Sequence, residues 1–353
     1  MAYTTINKST DYFNTKLYTG TGSSNALTGV GFQPDFTWIK SRSATRNHHA
    51  FDAVRGVTKV LKPNETDAES TVATTLTAFG TDGFTLGTDV SVNESSGTFA
   101  SWNWKANGAG SANTDGTINS TVSVNTTAGF SIVKFTGSGA NATVGHGLGV
   151  APKMYILKRI DGGTNAWLVY HDGLDTSSPQ NYRCVLNQDT ARQDMTTWND
   201  TAPTNSVFSV GSDSEVNGSG QTYIVYCFAE KTGYSKFGSY VGNGNADGTF
   251  VYTGFKPSWL MIKRYSTTGH WHIFDIKRNP YYPTSSSYGG MATRLMANLN
   301  SGDDLSQGGF EFLSNGLKMT TSWDQGNGNG NSFIYAAFGQ SIVGSNNVPA
   351  TAR

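Results

Sequence analysis

The apolar positions of this chain fall in short runs separated by glycine-rich polar stretches. Phe36-Thr37-Trp38-Ile39-Lys40, Met154-Tyr155-Ile156-Leu157-Lys158 and Trp259-Leu260-Met261-Ile262-Lys263 are rich in aromatic and aliphatic residues on both faces, as are the runs 224–228 and 333–338. Such runs predict central strands covered on both sides. Residues 120–134 alternate through Val122, Val124, Phe130 and Ile132, which predicts a hairpin. Little of the chain has helical period. Residues 69–79 and 290–299 fit either a short helix or a strand-linking loop. Short strands joined by tight glycine turns predict an all-β chain built as sandwiches.

The runs recur in a fixed order. A phrase of aromatic-[TV]-G-x-G stands at Tyr18-Thr19-Gly20-Thr21-Gly22, Phe135-Thr136-Gly137-Ser138-Gly139 and Tyr240-Val241-Gly242-Asn243-Gly244. Pro34, Pro152 and Pro257 follow it at 16, 17 and 17 residues, and Lys40, Lys158 and Lys263 follow each proline by six. Next come His48-His49-Ala50-Phe51-Asp52, Trp167-Leu168-Val169-Tyr170-His171 and Trp271-His272-Ile273-Phe274-Asp275. Each copy closes on a strand with aromatics five apart: Phe99 and Trp104, Tyr223 and Phe228, Phe333 and Phe338. Self-similarity at a period near 100 residues predicts three tandem β-sandwich domains. The expected division is an N-terminal arm at 1–16, repeats at 17–106, 120–230 and 237–340, a linker at 107–119 and a C-terminal arm at 341–353.

Composition narrows the role. Charged residues are 14% of the 353 and the formal net charge is zero. That argues against nucleic acid held by a basic face. The 42 glycines suit tight turns, and 19 Phe, 16 Tyr and 8 Trp supply large buried area. No apolar run approaches the roughly 20 residues of a membrane span, and no basic and apolar leader opens the chain. The expectation is a soluble protein without membrane insertion or a Sec signal. Cys184 and Cys227, both in copy two, are expected as buried free thiols, with a disulfide as the alternative.

Candidate chemistry is sparse. His48, His49, His171, His270 and His272 cluster at equivalent places, but residues 48, 167 and 271 align as His, Trp and Trp, which fits packing or a surface aromatic better than a metal ligand. Asp52 and Asp275 each precede an arginine by three, Arg55 and Arg278. No second carboxylate recurs with them for acid–base work, so the pattern fits a local ion pair after the strand. Copy two has Asp172 near that place without a matching base. Lys40, Lys158 and Lys263 are expected to snorkel from the sandwich edge. The loop 243–248 resembles a calcium loop in composition and lacks its distal glutamate. No cofactor, metal or catalytic residue is expected. If the chain is an adhesin, the preferred contact for a receptor is His270 and Trp271, beside the turn at Gly269; the favoured alternative is that Trp271 covers the sandwich, as Trp167 would in copy two.

Several phrases resemble a repeated module of virion proteins of tailed bacteriophages, frequent in phages of marine bacteria: Gly31-Phe32-Gln33-Pro34-Asp35-Phe36-Thr37-Trp38-Ile39-Lys40-Ser41-Arg42, Phe51-Asp52-Ala53-Val54-Arg55-Gly56, Thr81-Asp82-Gly83-Phe84-Thr85-Leu86-Gly87, Ala100-Ser101-Trp102-Asn103-Trp104-Lys105-Ala106 and Phe250-Val251-Tyr252-Thr253-Gly254-Phe255-Lys256-Pro257, with the terminal 343–353. The resemblance implies lectin-like jelly-roll, concanavalin-like domains in a non-enzymatic tail, fibre or structural protein located in the virion. It further implies other virion proteins as partners, a homo-oligomer that is trimeric in a fibre, and a host-surface glycan or protein as target. The alternatives are a capsid decoration or tail adaptor, and a surface-polysaccharide depolymerase. Copy two departs most from the pattern, with Ala151-Pro152-Lys153 in place of Pro-Asp.

Overall fold

The structure, a computed structural model, describes residues 4–278, 293–306, 308–341 and 343. Strands are its main regular structure, with only short helical turns, and every ladder between strands is antiparallel. Each repeat is built on four strands. In repeat one these are β1 (Phe13–Thr19), β2 (Phe36–Ser41), β3 (His49–Asp52) and β4 (Thr98–Trp104). In repeat two they are β5 (Phe130–Thr136), β6 (Met154–Arg159), β7 (Leu168–His171) and β8 (Thr222–Phe228). Repeat three has β9 (Ser235–Val241), β10 (Lys256–Arg264), β11 (Trp271–Asp275) and β12 (Ser332–Gln340). The closing strand of each repeat sits between the first and second, and the third strand flanks the second, giving β1-β4-β2-β3, β5-β8-β6-β7 and β9-β12-β10-β11. The hairpin expected over 120–134 is present as Ser120–Asn125 against β5 and widens the second sheet.

Pro34 and Pro152 stand two residues before β2 and β6, while Pro257 lies inside β10 at a register shift. Residues 13–16, expected in the N-terminal arm, belong to β1, with Phe13 opposite Trp104. Residues 69–79 hold the short strands Ser70–Thr71 and part of Leu76–Gly80, and Leu295–Met296 adds an edge to the third sheet. Neither segment forms a helix among the described residues. The C-terminal arm beyond residue 343 lies outside them.

Each sheet is buried on both faces, for two different reasons. The outer face is covered by a small sheet of its own repeat: Asn25–Leu27, Leu76–Gly80 and Gly83–Leu86 in the first, Ala142–Gly145 and Val207–Val210 in the second, Phe250–Tyr252, Phe310–Leu313 and Gly316–Met319 in the third. Separate cores fill these sandwiches. The inner faces of the three sheets meet in a single core. It takes Phe36, Trp38, Trp102 and Trp104 from the first repeat, Met154, Ile156, Tyr226 and Phe228 from the second, and Trp259, Met261, Ala336 and Phe338 from the third. The alternation of side chains along a strand decides which residue goes to which core. Trp38 and Trp104 face inward, while Ile39 and Phe99 face outward.

At the centre of the shared core Trp104, Phe228 and Phe338 form a triangle with ring centroids 6.1, 6.0 and 5.8 Å apart. They are the matched closing aromatics of the three copies, so the repeats are disposed around a local threefold. Phe36 stacks on Tyr226 at 4.1 Å and Phe13 on Phe338 at 5.1 Å, both across boundaries between repeats. A void of about 20 Å³ remains between them, lined only by apolar residues and aromatic rings. Packing is otherwise close, at the expense of two indole N–H groups, Trp104 and Trp259, buried without an acceptor.

Candidate functional site

Many of the residues singled out in the sequence gather at the seams between repeats, whereas His49 and His272 bond within their own repeats, to the Asn47 carbonyl and to Gln325. Lys40 continues the inward stripe of Phe36 and Trp38, as Lys158 and Lys263 do in their strands. All three lysines have no exposed surface, so the expected snorkelling from an edge does not occur. Instead each amine donates to two backbone carbonyls, one in its own repeat and one in a neighbour. Lys40 reaches Ser41 at 2.8 Å and Asn300 at 3.2 Å. Lys158 reaches Asn165 at 2.9 Å and Thr66 at 3.1 Å. Lys263 reaches Gly269 and, at 2.9 Å, Asp189. The crossings run from repeat one to three, two to one and three to two, so the cycle closes. Burial pushes the Lys40 amine down to about 7 and those of Lys158 and Lys263 down to about 8.

The aligned positions 48, 167 and 271 repeat that cycle. Trp167 Nε1 donates to the Lys62 carbonyl at 3.0 Å and Trp271 Nε1 to the Val185 carbonyl at 2.9 Å. His48 replaces the indole with an imidazole. Its Nδ1 accepts from Trp38 Nε1 at 2.8 Å, which leaves Nε2–H to donate to the Met296 carbonyl at 3.0 Å. Burial holds this imidazole well below the usual range, so it is neutral.

Asp52 and Asp275 do form local pairs with Arg55 and Arg278, at 2.5 and 2.6 Å, but both pairs are buried rather than on the surface. Arg55 also donates to the Ala50 and Lys59 carbonyls, and Arg278 to the Ile273 carbonyl and to Asp303. Burying an ion pair is costly unless its remaining hydrogen-bonding capacity is met, and the neighbouring repeat completes it. Tyr226 Oη–H donates to Asp52 at 2.7 Å and Trp102 Nε1–H to Asp275 at 3.1 Å. In the register of the sheets the equivalent of Asp52 and Asp275 is His171, not Asp172. His171 Nε2–H donates to the Tyr335 carbonyl at 3.0 Å and Nδ1 accepts from Gly173 N–H at 2.9 Å. The equivalent of Trp102 and Tyr226 is Ala336, which has no donor to give. The acid and its donor are thus absent together from one seam.

The aromatic-[TV]-G-x-G phrase is a turn held by a buried asparagine. Asn93, Asn217 and Asn327 end the short helices α1 (Val90–Asn93), α2 (Ser214–Asn217) and α3 (Asp324–Asn327). Their side-chain oxygens accept from the N–H of Thr21, Ser138 and Asn243. Their carbonyls accept from Gly22, Gly139 and Gly244, which have φ of 67, 77 and 65°. A Cβ on the first glycine would lie 2.1 to 2.4 Å from a carbonyl oxygen in all three turns, so only glycine fits. The third of these turns contains the calcium-like loop 243–248, whose Asn243 and Asn245 spend their oxygens on Asn327 and on backbone N–H groups. The repeated asparagine was the signal missed in the sequence. It stands in the phrases Val92-Asn93-Glu94-Ser95, Val216-Asn217-Gly218-Ser219 and Gly326-Asn327-Gly328-Asn329.

His270 and Trp271 do not form an open stacking surface. Trp271 is 1% exposed and committed to the seam. His270 is part-buried, with Nδ1 2.8 Å from Asn298 Nδ2. Cys184 and Cys227 are buried and free. Burial pushes the Cys184 thiol up to about 12.

No curated protein and no solved structure matches the chain. Residues 8–341 match DUF7483, a domain of unknown function, and that span takes in all three repeats. The chain belongs to this family.

Proposed function

We propose that the protein is a non-enzymatic structural component of a tailed-bacteriophage particle, carried as a tail appendage and contacting the host surface. One observation supports the structural role most directly. The repeated lysines, the aspartate–arginine pairs and the aligned His48, Trp167 and Trp271 are all spent on holding three repeats around one core. Groups used this way give rigidity rather than turnover. The particle itself enters through the resemblance of the repeated phrases to phage virion modules.

The local threefold favours a second reading, a capsid decoration or tail adaptor. A single chain with threefold-like faces can seat on a threefold-symmetric neighbour. Antibody labelling of purified particles tests both. Label on the distal tail supports the appendage, and label on the capsid or at a tail junction supports the second reading. A particle free of the protein overturns the particle role. Release of reducing ends from host polysaccharide by the purified protein would overturn the non-enzymatic one.

A further inference from the structure

The three seams differ at their outer rims. Between repeats one and two, the chain leaving β4 fills the rim: Ala106 and Gly108 N–H donate to Asp35, and Asn107 N–H to Ser123. Between repeats three and one there is a cleft of about 220 Å³ beside Ser258 and Thr15. Between repeats two and three the equivalent space opens to about 510 Å³, within the size range of small-ligand sites. Repeat two supplies one wall with the short turns Asp172–Leu174 and Pro179–Asn181, and repeat three supplies the other with β9. At Gly173 the two repeats touch. A Cβ there would lie 3.0 Å from the carbonyl carbon of Gly238, so glycine permits the approach.

The lining mixes polar and apolar surface and carries one cation, Lys153, and two carboxylates, Asp172 and Asp175. Lys153 pairs with Asp172 at 2.7 Å, each 41% exposed. Asp175 accepts from the N–H of Ser177 and Ser178 and pairs with Arg192 at 3.3 Å. Hydrogen bonds from those two N–H groups hold its carboxyl below the usual range. Around the charges stand Gln180 and Ser239, with the rings of Pro152 and Pro179 as apolar patches. A wholly apolar ligand would strip water from Lys153 and Asp172 without replacing it. An acidic ligand would meet two carboxylates already present. A ligand with many hydroxyls and apolar C–H faces satisfies both kinds of lining, since hydroxyls donate to Asp172 and Asp175 and accept from Lys153.

We propose that this cleft binds a neutral saccharide. The site takes over the receptor contact expected at His270 and Trp271, and it rests on the host-surface reading only for the source of the sugar. The test is a printed array of bacterial surface glycans probed with the full chain. The variants are Asp172→Ala, which removes an acceptor from an exposed pair, and Ser239→Trp, which fills the cleft from a solvent-facing position. Tyr252→Ser, at an exposed site outside the cleft, is the control. Each variant is first checked for an unchanged melting profile. The expected result is retention of at least one neutral glycan by the wild type and by Tyr252→Ser, with a loss of about tenfold or more in both cleft variants. Binding to no neutral glycan, binding to acidic glycans alone, or undiminished binding by Ser239→Trp or, should that variant not fold, by Asp172→Ala overturns the proposal. None of these outcomes moves the protein on the particle, so the labelling experiment fails or succeeds separately.

Discussion

Two of the three seams are closed by a buried aspartate–arginine pair capped from the neighbouring repeat, and the third is not. Asp52 with Arg55 takes Tyr226, and Asp275 with Arg278 takes Trp102. At the seam of repeats two and three, a neutral His171 donates to a backbone carbonyl opposite Ala336. In the one seam without the buried carboxylate, its cross-seam donor is absent as well, so neither group is left unpaired. A lone aspartate facing Ala336 would be a buried acceptor short of a partner, and a lone Tyr226 would be a buried hydroxyl without one. The repeat without the aspartate also carries the half-exposed Lys153–Asp172 pair, at the rim of the 510 Å³ cleft. The seam without the aspartate–arginine pair has the larger of the two rim clefts described.

Substitution tests this contrast. Asp52→Ala or Asp275→Ala leaves a buried guanidinium with only Glu69 or Asp303 as its anion and a cross-seam donor unpaired, and should lower unfolding free energy by about 3 kcal/mol or more. The shared aromatic centre should make no such distinction between repeats. Trp104→Ala, Phe228→Ala and Phe338→Ala are each expected to cost about 3–5 kcal/mol. Denaturant unfolding that finds one of the three near neutral would break the equivalence. His171→Ala removes neutral hydrogen bonds and a buried ring packed beside Phe237 but strands no charge, and about 1–3 kcal/mol is expected. If it matched Asp52→Ala, the seams would not differ in the way their side chains suggest.

A smaller effect separates the seams by pH. Burial pushes His171 down to about 4, against roughly 6.5 in an unfolded chain. As pH falls, the unfolded state takes the proton first. The contribution of neutral His171 is therefore complete above about pH 6.5 and lost progressively toward pH 4. His48, His49 and His272 shift in the same direction, so the whole chain should weaken in this window. His171→Gln, which keeps a donor and does not titrate, should flatten the slope. An unchanged slope would contradict the assignment. The lysines act at the other end. They release protons near pH 7 to 8 when folded and near 10.4 when unfolded, so their contribution to stability rises with pH between those values.

Much of this was legible in the sequence. The doubly apolar runs located β2, β6 and β10 and the closing strands, because a strand buried on both faces has no polar alternation. The matched positions of Trp38, Ile156 and Met261, and of Trp104, Phe228 and Phe338, followed from repeat spacing and lie together in the shared core. What the chain did not disclose was the second cover. A run apolar on both faces fits a closed two-layer sandwich as well as a sheet whose inner face meets two other repeats. Lys40 illustrates the difference. At the end of a strand in an isolated sandwich a lysine would reach solvent, whereas next to a neighbour's Asn300 carbonyl it is enclosed. Trp271 covers its sheet, as one of its two readings had it, but its partner Val185 lies 86 residues away in another repeat and was not legible for the same reason. The asparagine latch was overlooked because its partner, the glycine turn, is more than 70 residues distant in sequence.

The three repeats share one core and are expected to unfold as one cooperative body. Scanning calorimetry of the full chain tests this most directly. A single transition is expected, with calorimetric and van't Hoff enthalpies equal within error, because unfolding any repeat exposes the inner faces of the other two. Resolved transitions, or a calorimetric enthalpy about three times the van't Hoff value, would show that the repeats unfold as separate domains and would contradict the claim.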